Sequence, residues 1–215
     1  LLNLTPQHEA AVIETGMNHF GEIRYLGGLV RPDTAVITNV GDAHIENLGN
    51  TRQGILQAKC EIFEHLPLDG LAVLNGDDPL LNTVALPQTV LRCGRGEGCQ
   101  IRVTDVDDCG IEGISCTVTT ARGSYRLHTA SPGAYMIYPM AMAAAIGEVL
   151  GLTAAEITAG VASYVPTGSR MRVLHLPEGR LLIDDCYNAN PQAMTEALKL
   201  LSVTPSRRRL AVLGD

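Results

Sequence analysis

Two carboxylates, a thiol, a phenol and two amides stand in one uninterrupted run, Asp184-Asp185-Cys186-Tyr187-Asn188-Ala189-Asn190-Pro191. The run begins where the apolar segment Arg180-Leu181-Leu182-Ile183 stops, and it ends where an amphipathic pattern (Met194, Ala197, Leu198, Leu201) starts. A strand-to-helix junction of this kind is where open α/β sheets bind ligands. These side chains can hydrogen-bond a ribose, cover a base and reach phosphate oxygens, and a plain turn needs far fewer of them.

A second candidate is Lys59, one of only two lysines in the chain, the other being Lys199. In the helical pattern that starts near Thr51, Lys59 lies four residues after Ile55 and four before Phe63, with Ile62 on the same side. That spacing puts the amine on the apolar stripe. Burial favours the neutral amine, whereas a lysine that snorkels along the stripe to water stays charged. The neighbouring chemistry favours burial: Glu14 ends one apolar run, and Asn39, Asp42 and His44 follow the next, all expected along one sheet edge.

Those residues need a frame. Ala10-Ala11-Val12-Ile13, Thr34-Ala35-Val36-Ile37, Leu71-Ala72-Val73-Leu74, Leu181-Leu182-Ile183 and Leu210-Ala211-Val212-Leu213 are short, continuously apolar runs. They suit strands buried on both faces of a mostly parallel sheet. Each is followed by polar residues: Glu14-Thr15-Gly16, Thr38-Asn39, Asn75-Gly76-Asp77-Asp78, Asp184-Asp185 and Gly214-Asp215. The pattern predicts α/β architecture with a site along the carboxyl edge. From Thr89 to Thr129 the texture alternates, as in Ile114-Ser115-Cys116-Thr117-Val118-Thr119, which predicts a small antiparallel sheet beside the main one. Gly94-Arg95-Gly96-Glu97-Gly98 is read as a hairpin turn, because no helical pattern follows it as a nucleotide loop requires. Ala134 to Leu150 reads as a buried helix, since Pro139, Gly147 and Glu148 interrupt it well short of the ~20 apolar residues of a membrane span. Another helix begins near Thr153, and Val165-Pro166-Thr167-Gly168-Ser169-Arg170 reads as an interdomain linker, with the boundary near residues 168–172.

Composition narrows the function classes. The chain has 215 residues, 46% of them apolar and 18% charged, as in an ordinary globular protein. Its net charge of −7 argues against a nucleic-acid surface, and Arg207-Arg208-Arg209 reads as a solvated strand entry. The six cysteines (Cys60, Cys93, Cys99, Cys109, Cys116, Cys186) form no C-x-x-C pair, so a reducing cytoplasm is expected and a zinc site is not. The chain opens without an initiator methionine or signal peptide and stops beside an apolar run, so an interior fragment is expected.

The run Asp184–Pro191 resembles, nearly letter for letter, the D-D-S-Y-N-A-N-P signature of the MurF-type Mur ligases, with Cys186 in place of serine. Thr38-Asn39-Val40-Gly41-Asp42-Ala43-His44-Ile45-Glu46-Asn47-Leu48-Gly49 with Ala58-Lys59-Cys60-Glu61-Ile62-Phe63 resembles that family's T-N-I-x-x-A-H-L-x-x-F-G and A-K-x-E-I-F. Glu14 to Ile23 is similar to its E-x-G-x-x-x-x-G-E-I segment. The resemblance covers essentially the whole chain in order. It implies the partial central ATPase domain over residues 1–170 and the start of a Rossmann-like C-terminal domain over 171–215. It also implies that ATP and Mg2+ are the cofactors and that the reaction joins D-alanyl-D-alanine to UDP-N-acetylmuramoyl-tripeptide through an acyl phosphate, in a cytoplasmic monomer without membrane insertion.

By residue, the resemblance implies Glu14 and His44 as Mg2+ ligands and Lys59 as a carbamylated lysine. It places Asp185 on the ATP ribose, Tyr187 against the base, Asn188 and Asn190 near the phosphates, Arg170 at the domain junction facing the nucleotide, and Asn39 among the nucleotide contacts. Three departures stand out. No segment matches the phosphate loop G-x-x-x-x-G-K-S/T, which by family order precedes Leu1; the uridine-binding domain and most of the C-terminal domain are also absent, so the fragment alone is expected to be inactive. Gly133-Ala134-Tyr135-Met136-Ile137-Tyr138-Pro139 stands where the family often has G-x-H-x-x-x-N, so Pro139 replaces an amide expected at the adenine. The rival reading is a Mur-ligase-like scaffold subunit of a complex that amidates lipid-linked precursors; those relatives carry a cysteine-rich zinc insertion, and this chain lacks C-x-x-C pairs.

Overall fold

The computed structural model describes residues 3–214, so Leu1, Leu2 and Asp215, the last of the expected polar edge after Leu213, lie outside the described residues. The chain divides into two compact units, residues 1–92 and 93–215.

In the first unit, α1 (Glu22–Val30) leads to β1 (Thr34–Ile37), which connects through α2 (Arg52–Cys60) to β2 (Leu71–Asn75). The two strands pair parallel from Thr34↔Leu71 to Ile37↔Leu74. This is a βαβ unit. Helix α2 starts where Thr51 Oγ1 accepts the Gly54 N–H at 3.0 Å, the N-cap role for which threonine is suited. Gly54 itself is required, since a Cβ there would lie 1.8 Å from the Leu48 carbonyl oxygen. Ile55, Leu56 and Ala58 of α2 pack with Ile23, Ala35, Ile37, Phe63, Leu74 and Leu81 into one core.

Strand β3 (Thr89–Gly94) passes from the first unit into the second, where β4 (Ile101–Asp108), β5 (Ile114–Thr120) and β6 (Gly123–Thr129) form an antiparallel meander. Ile101, Val103, Ile114, Cys116, Val118 and Leu127 are all buried, so the alternation between Thr89 and Thr129 does mark the antiparallel part. The strand order of the larger sheet is β1-β2-β3-β4-β5-β6. Helix α3 (Ile137–Val149) packs on β4 and β5, and α4 (Ala154–Ala162) packs on β6. A capping box between Thr153 and Glu156 starts α4. The remainder is a two-stranded sheet of β7 (Arg172–Leu176) and β8 (Arg180–Asp184), followed by α5 (Pro191–Val203).

Four expectations need correction. Ala10–Ile13 and Leu210–Leu213 are not strands; both are irregular, with Val12 and Val212 almost fully exposed. Apolar composition alone does not make a strand without a ladder partner, and none of the described strands pairs with them. Gly94–Gly98 is not a hairpin, because β3 and β4 pair parallel, through Cys93↔Ile101 and Gly94↔Arg102 only. So short an overlap lets a short loop replace the dozen-residue crossover that parallel neighbours usually need. Leu181–Ile183 belongs to an antiparallel pair with β7, with Leu181 and Leu182 exposed and Ile183 only partly buried, because the turn at Pro177–Gly179, with Glu178 at φ 63° and Gly179 at φ 69°, folds β8 back on its immediate neighbour.

Candidate functional site

The parallel pairing of β1 and β2 sends the segment Thr38–His44 and the turn Asn75–Leu81 out of the same sheet edge. Asp78 joins them: its Oδ2 accepts the Val40 N–H at 2.8 Å, while its Oδ1 accepts the Leu80 and Leu81 N–H at 2.9 and 3.1 Å. A second tie comes from α2, where Arg52 forms a two-point ion pair with Asp42 at 2.6 and 2.7 Å. That guanidinium holds the Asp42 carboxyl below its ordinary range. On either side of these ties the segment presents Asn39 and His44, both exposed, with His44 in the left-handed region at φ 60°, ψ 23°.

Lys59 occupies the last turn of α2 and is half-buried, as its stripe position requires. Burial pushes its amine below the usual lysine value, and the nearby Asp78 carboxylate opposes that shift in part. No hydrogen bond or ion pair of the Lys59 amine occurs among the described residues. Asp78 is the link the structure provides: it bonds Val40, next to Asn39, and its charge acts on the Lys59 amine. Glu14 lies in an irregular, exposed segment, and no described contact joins it to the others. A depression of about 520 Å³ lies further along that segment, lined by Gly16, Phe20, Gly21, Glu22, Tyr25 and Leu26.

In the second unit, the linker and the strand-to-helix junction are laced together. Met171 N–H donates to Asp185 Oδ1 at 2.8 Å, Tyr187 N–H donates to the Ser169 carbonyl at 3.0 Å, and the Arg170 guanidinium lies 4.0 Å over the Tyr187 ring centroid. One face of Tyr187 is thus covered by a cation, although the residue stays 57% exposed. Asp184, hydrogen-bonded by Cys186 and Ser169, is held below its ordinary value. Asn190 caps α5, accepting the Ala193 N–H at 2.9 Å, with Pro191 in the first turn; Asn188 is exposed. The Tyr135 phenol is pushed up to about 12 by burial and by Asp185 nearby, so a phenol stands beside Asp185 in the segment where the family's histidine was expected.

Sequence reasoning passed over Asp78, noted only as part of a polar edge, and Glu61, noted only inside the A-K-x-E-I-F resemblance. Glu61 is 5% exposed and its carboxylate accepts the N–H of Gly21 at 2.8 and 2.9 Å and of Arg24 at 3.1 Å. Among the described residues no group of three His, Cys, Asp or Glu side chains converges as a metal site. All six cysteines are free, and burial pushes Cys60 to about 11, Cys93 to about 12 and Cys116 to about 11. No helix among the described residues is long and apolar enough to cross a membrane.

The Mur ligase middle domain family matches residues 1–147. The UDP-N-acetylmuramoyl-tripeptide–D-alanyl-D-alanine ligase of Escherichia coli is 36% identical over 219 residues, covering 100% of this chain and 48% of that protein. Its Bacillus subtilis counterpart is 33% identical, covering 100% of the chain and 46% of the relative. Among solved structures, MurF from Acinetobacter baumannii superposes with a TM-score of 0.87 at 29% identity, over 95% of this chain and 45% of that one. MurF ligase from Thermotoga maritima, in complex with ADP, does so with a TM-score of 0.73 at 28% identity, over 87% and 43%. The chain thus spans about half the length of the curated relatives it matches. With a family match over most of its length and its relatives' fold reproduced, the chain belongs to the Mur ligase family, and residues 1–147 are its middle domain.

Proposed function

We propose that the protein carrying this chain is a cytoplasmic, ATP-dependent ligase that joins D-alanyl-D-alanine to UDP-N-acetylmuramoyl-tripeptide, as the names of its relatives describe for them. Residues 1–170 then belong to the nucleotide-handling domain and 171–215 open the C-terminal domain. The protein works as a monomer without membrane insertion. Amide formation from a carboxylate needs activation, and an acyl phosphate supplies it; phosphoryl transfer and the tetrahedral intermediate both concentrate negative charge. Mg2+, when bound, supplies the neutralising charge.

The donors suit that ion. Mg2+ in nucleotide sites takes one or two protein carboxylates and completes its shell with water and phosphate oxygens, so Glu14, His44 and a modified Lys59 suffice without a protein cage. As an ammonium, Lys59 would repel the ion. As a neutral amine it forms an N–C bond with CO2 and releases one proton, and the resulting carbamate is a long carboxylate. In the second unit, Asp185 keeps Oδ2 for a ribose hydroxyl while Oδ1 holds Met171. Tyr187 keeps one ring face for the base while Arg170 covers the other, and the Arg170 charge reaches toward phosphate. Asn188 and the Asn190 amide complete the polar rim of this unit, and Asn39 is the nucleotide contact of the first unit.

The observation that carries this reading is the half-buried Lys59 amine, depressed by burial and without an ion-pair partner among the described residues. The test is activity of the complete gene product. Lys59→Ala is expected to abolish most turnover, with formate or acetate restoring part of it by occupying the vacated position. Near-normal kcat in Lys59→Arg, which keeps the charge but cannot form this carbamate, would refute the role.

A further inference from the structure

The turn after β2 is closed by its own groups. Asn75 Oδ1 accepts the Asp77 N–H at 2.9 Å, Asn82 Nδ2 donates to the Gly76 carbonyl at 2.5 Å, and Asn82 N–H donates to the Asp78 carbonyl at 3.0 Å. Asp78 Oδ1 closes the remainder through Leu80 and Leu81, the ordinary way an aspartate stabilises a turn. Its second oxygen is not needed for that. It is spent on the N–H of Val40, a buried residue at 7% exposure, whose backbone donor has to be satisfied. Val40 adjoins Asn39 and stands four residues before His44.

We propose that Asp78 is a positioning residue for the cation-binding segment. Through Oδ2 it sets where Thr38–His44 leaves β1, and so where Asn39 and His44 stand relative to Lys59. The proposal rests on the reading of Glu14, His44 and Lys59 as cation donors. The other tie of this segment, Asp42 with Arg52, is exposed on both sides, and exposed pairs fix geometry weakly. The Val40 bond is therefore the firmer anchor. Partners that orient metal ligands without touching the metal typically change metal affinity by about 10- to 100-fold when removed.

Asp78 also acts on Lys59 and Arg52 by charge, so the test separates geometry from charge with two variants of the complete gene product. In Asp78→Asn, the amide oxygen still accepts Leu80 and Leu81, but its NH2 faces the Val40 N–H, donor against donor. Replacing the Val40 amide by an ester removes the donor and leaves the Asp78 charge intact. Mn2+ binding, in place of Mg2+, is followed by electron paramagnetic resonance with a non-hydrolysable ATP analogue present, together with melting temperature and the Mg2+ concentration for half-maximal activity. Both variants are expected to bind Mn2+ about 10-fold more weakly or worse, to need correspondingly more Mg2+, and to melt within a few degrees of the parent. Weakening in Asp78→Asn alone would mean that charge, not position, is what Asp78 supplies, and would overturn the proposal. Unchanged Mn2+ affinity in both would overturn it too, leaving Asp78 a turn residue. If His44→Ala leaves Mn2+ binding unaltered, the underlying reading of the cation site fails and this proposal falls with it; loss in His44→Ala with no change in the other two sinks this proposal only.

Discussion

Glu61 is the place where one substitution should reveal how the frame is held. Helix α1 begins at Gly21, whose φ of 86° suits glycine and whose lack of a side chain leaves the helix no cap of its own. The first amides of a helix have no internal partner. Glu61, 40 residues away in sequence, supplies one carboxylate to the N–H of Gly21 and of Arg24, with the Arg24 guanidinium 3.9 Å off. Two bonds to a charged acceptor are worth roughly 1.5 to 3 kcal/mol each, and a carboxylate at a helix N-terminus adds up to ~1 kcal/mol. Gly21 is only partly buried, so water recovers some of the loss. Glu61→Ala should therefore weaken the local structure by about 3 kcal/mol, which at ~1.4 kcal/mol per decade is about two decades of amide protection. Glu61→Gln, which keeps one acceptor oxygen, should lose about half of that.

Native-state hydrogen exchange at Arg24, Tyr25 and Leu26 measures the effect directly and needs no two-state unfolding of a larger protein. If Glu61→Ala changes protection there by less than about threefold, the carboxylate is not the cap of α1, and the reasoning from Gly21 is wrong.

Further outcomes follow from single contacts. Asp185→Ala in the complete gene product should raise KM for ATP far more than it lowers kcat, because a ribose contact is made about equally in ground and transition states; an unchanged KM with a lowered melting temperature would leave only its anchoring of Met171. Thr153→Ala removes half of the capping box of α4 and should cost about 1 kcal/mol by chemical denaturation, while loss below a few tenths would show that α4 is held by packing alone. The Glu156 carboxyl is held below its ordinary value by the Thr153 backbone and hydroxyl. Its stabilising contribution is thus present above the unfolded glutamate value of about 4.3 and lost as pH falls through the lower folded one, so the melting difference between parent and Glu156→Gln should be constant near neutral pH and close on acidification.

Local signals read well from the sequence where they were local in cause. Thr51 before Ile55, the alternation through Ile114, Cys116 and Val118, and Asn190-Pro191 ahead of an amphipathic pattern each encode their structure within a few residues, and each element formed where expected. The same holds for Lys59, whose stripe position follows from helix periodicity alone. What did not read out depends on a partner elsewhere. Ala10–Ile13 has strand composition, yet strand formation needs a neighbouring ladder that composition cannot supply. The parallel overlap of β3 and β4 is set by a two-residue register, which glycine spacing does not encode. Glu61 and Asp78 meet their amides across about 40 residues, and in sequence they look like any acidic residue in a helix end or a turn.

Seven ionisable side chains of the first unit divide by this criterion into two groups with different work. Glu61, Asp78, Asp42 and Glu22 are occupied: they accept backbone N–H groups or pair with Arg52 and Arg24. The side chains of Glu14, His44 and Lys59 have no hydrogen-bond or ion-pair partner among the described residues. A cation site has to work that way, since a ligand already saturated by amides has no lone pairs left for an ion, and a ligand on an untethered segment loses entropy each time it binds. The occupied carboxylates fix α1 and the exit of β1; of the proposed donors, His44 follows that exit and Lys59 stands on α2, while Glu14 lies outside these elements. Removing an occupied carboxylate should therefore act on cation affinity only through position, whereas removing an unoccupied donor should act on it directly, and the Asp78 and His44 variants separate those two effects.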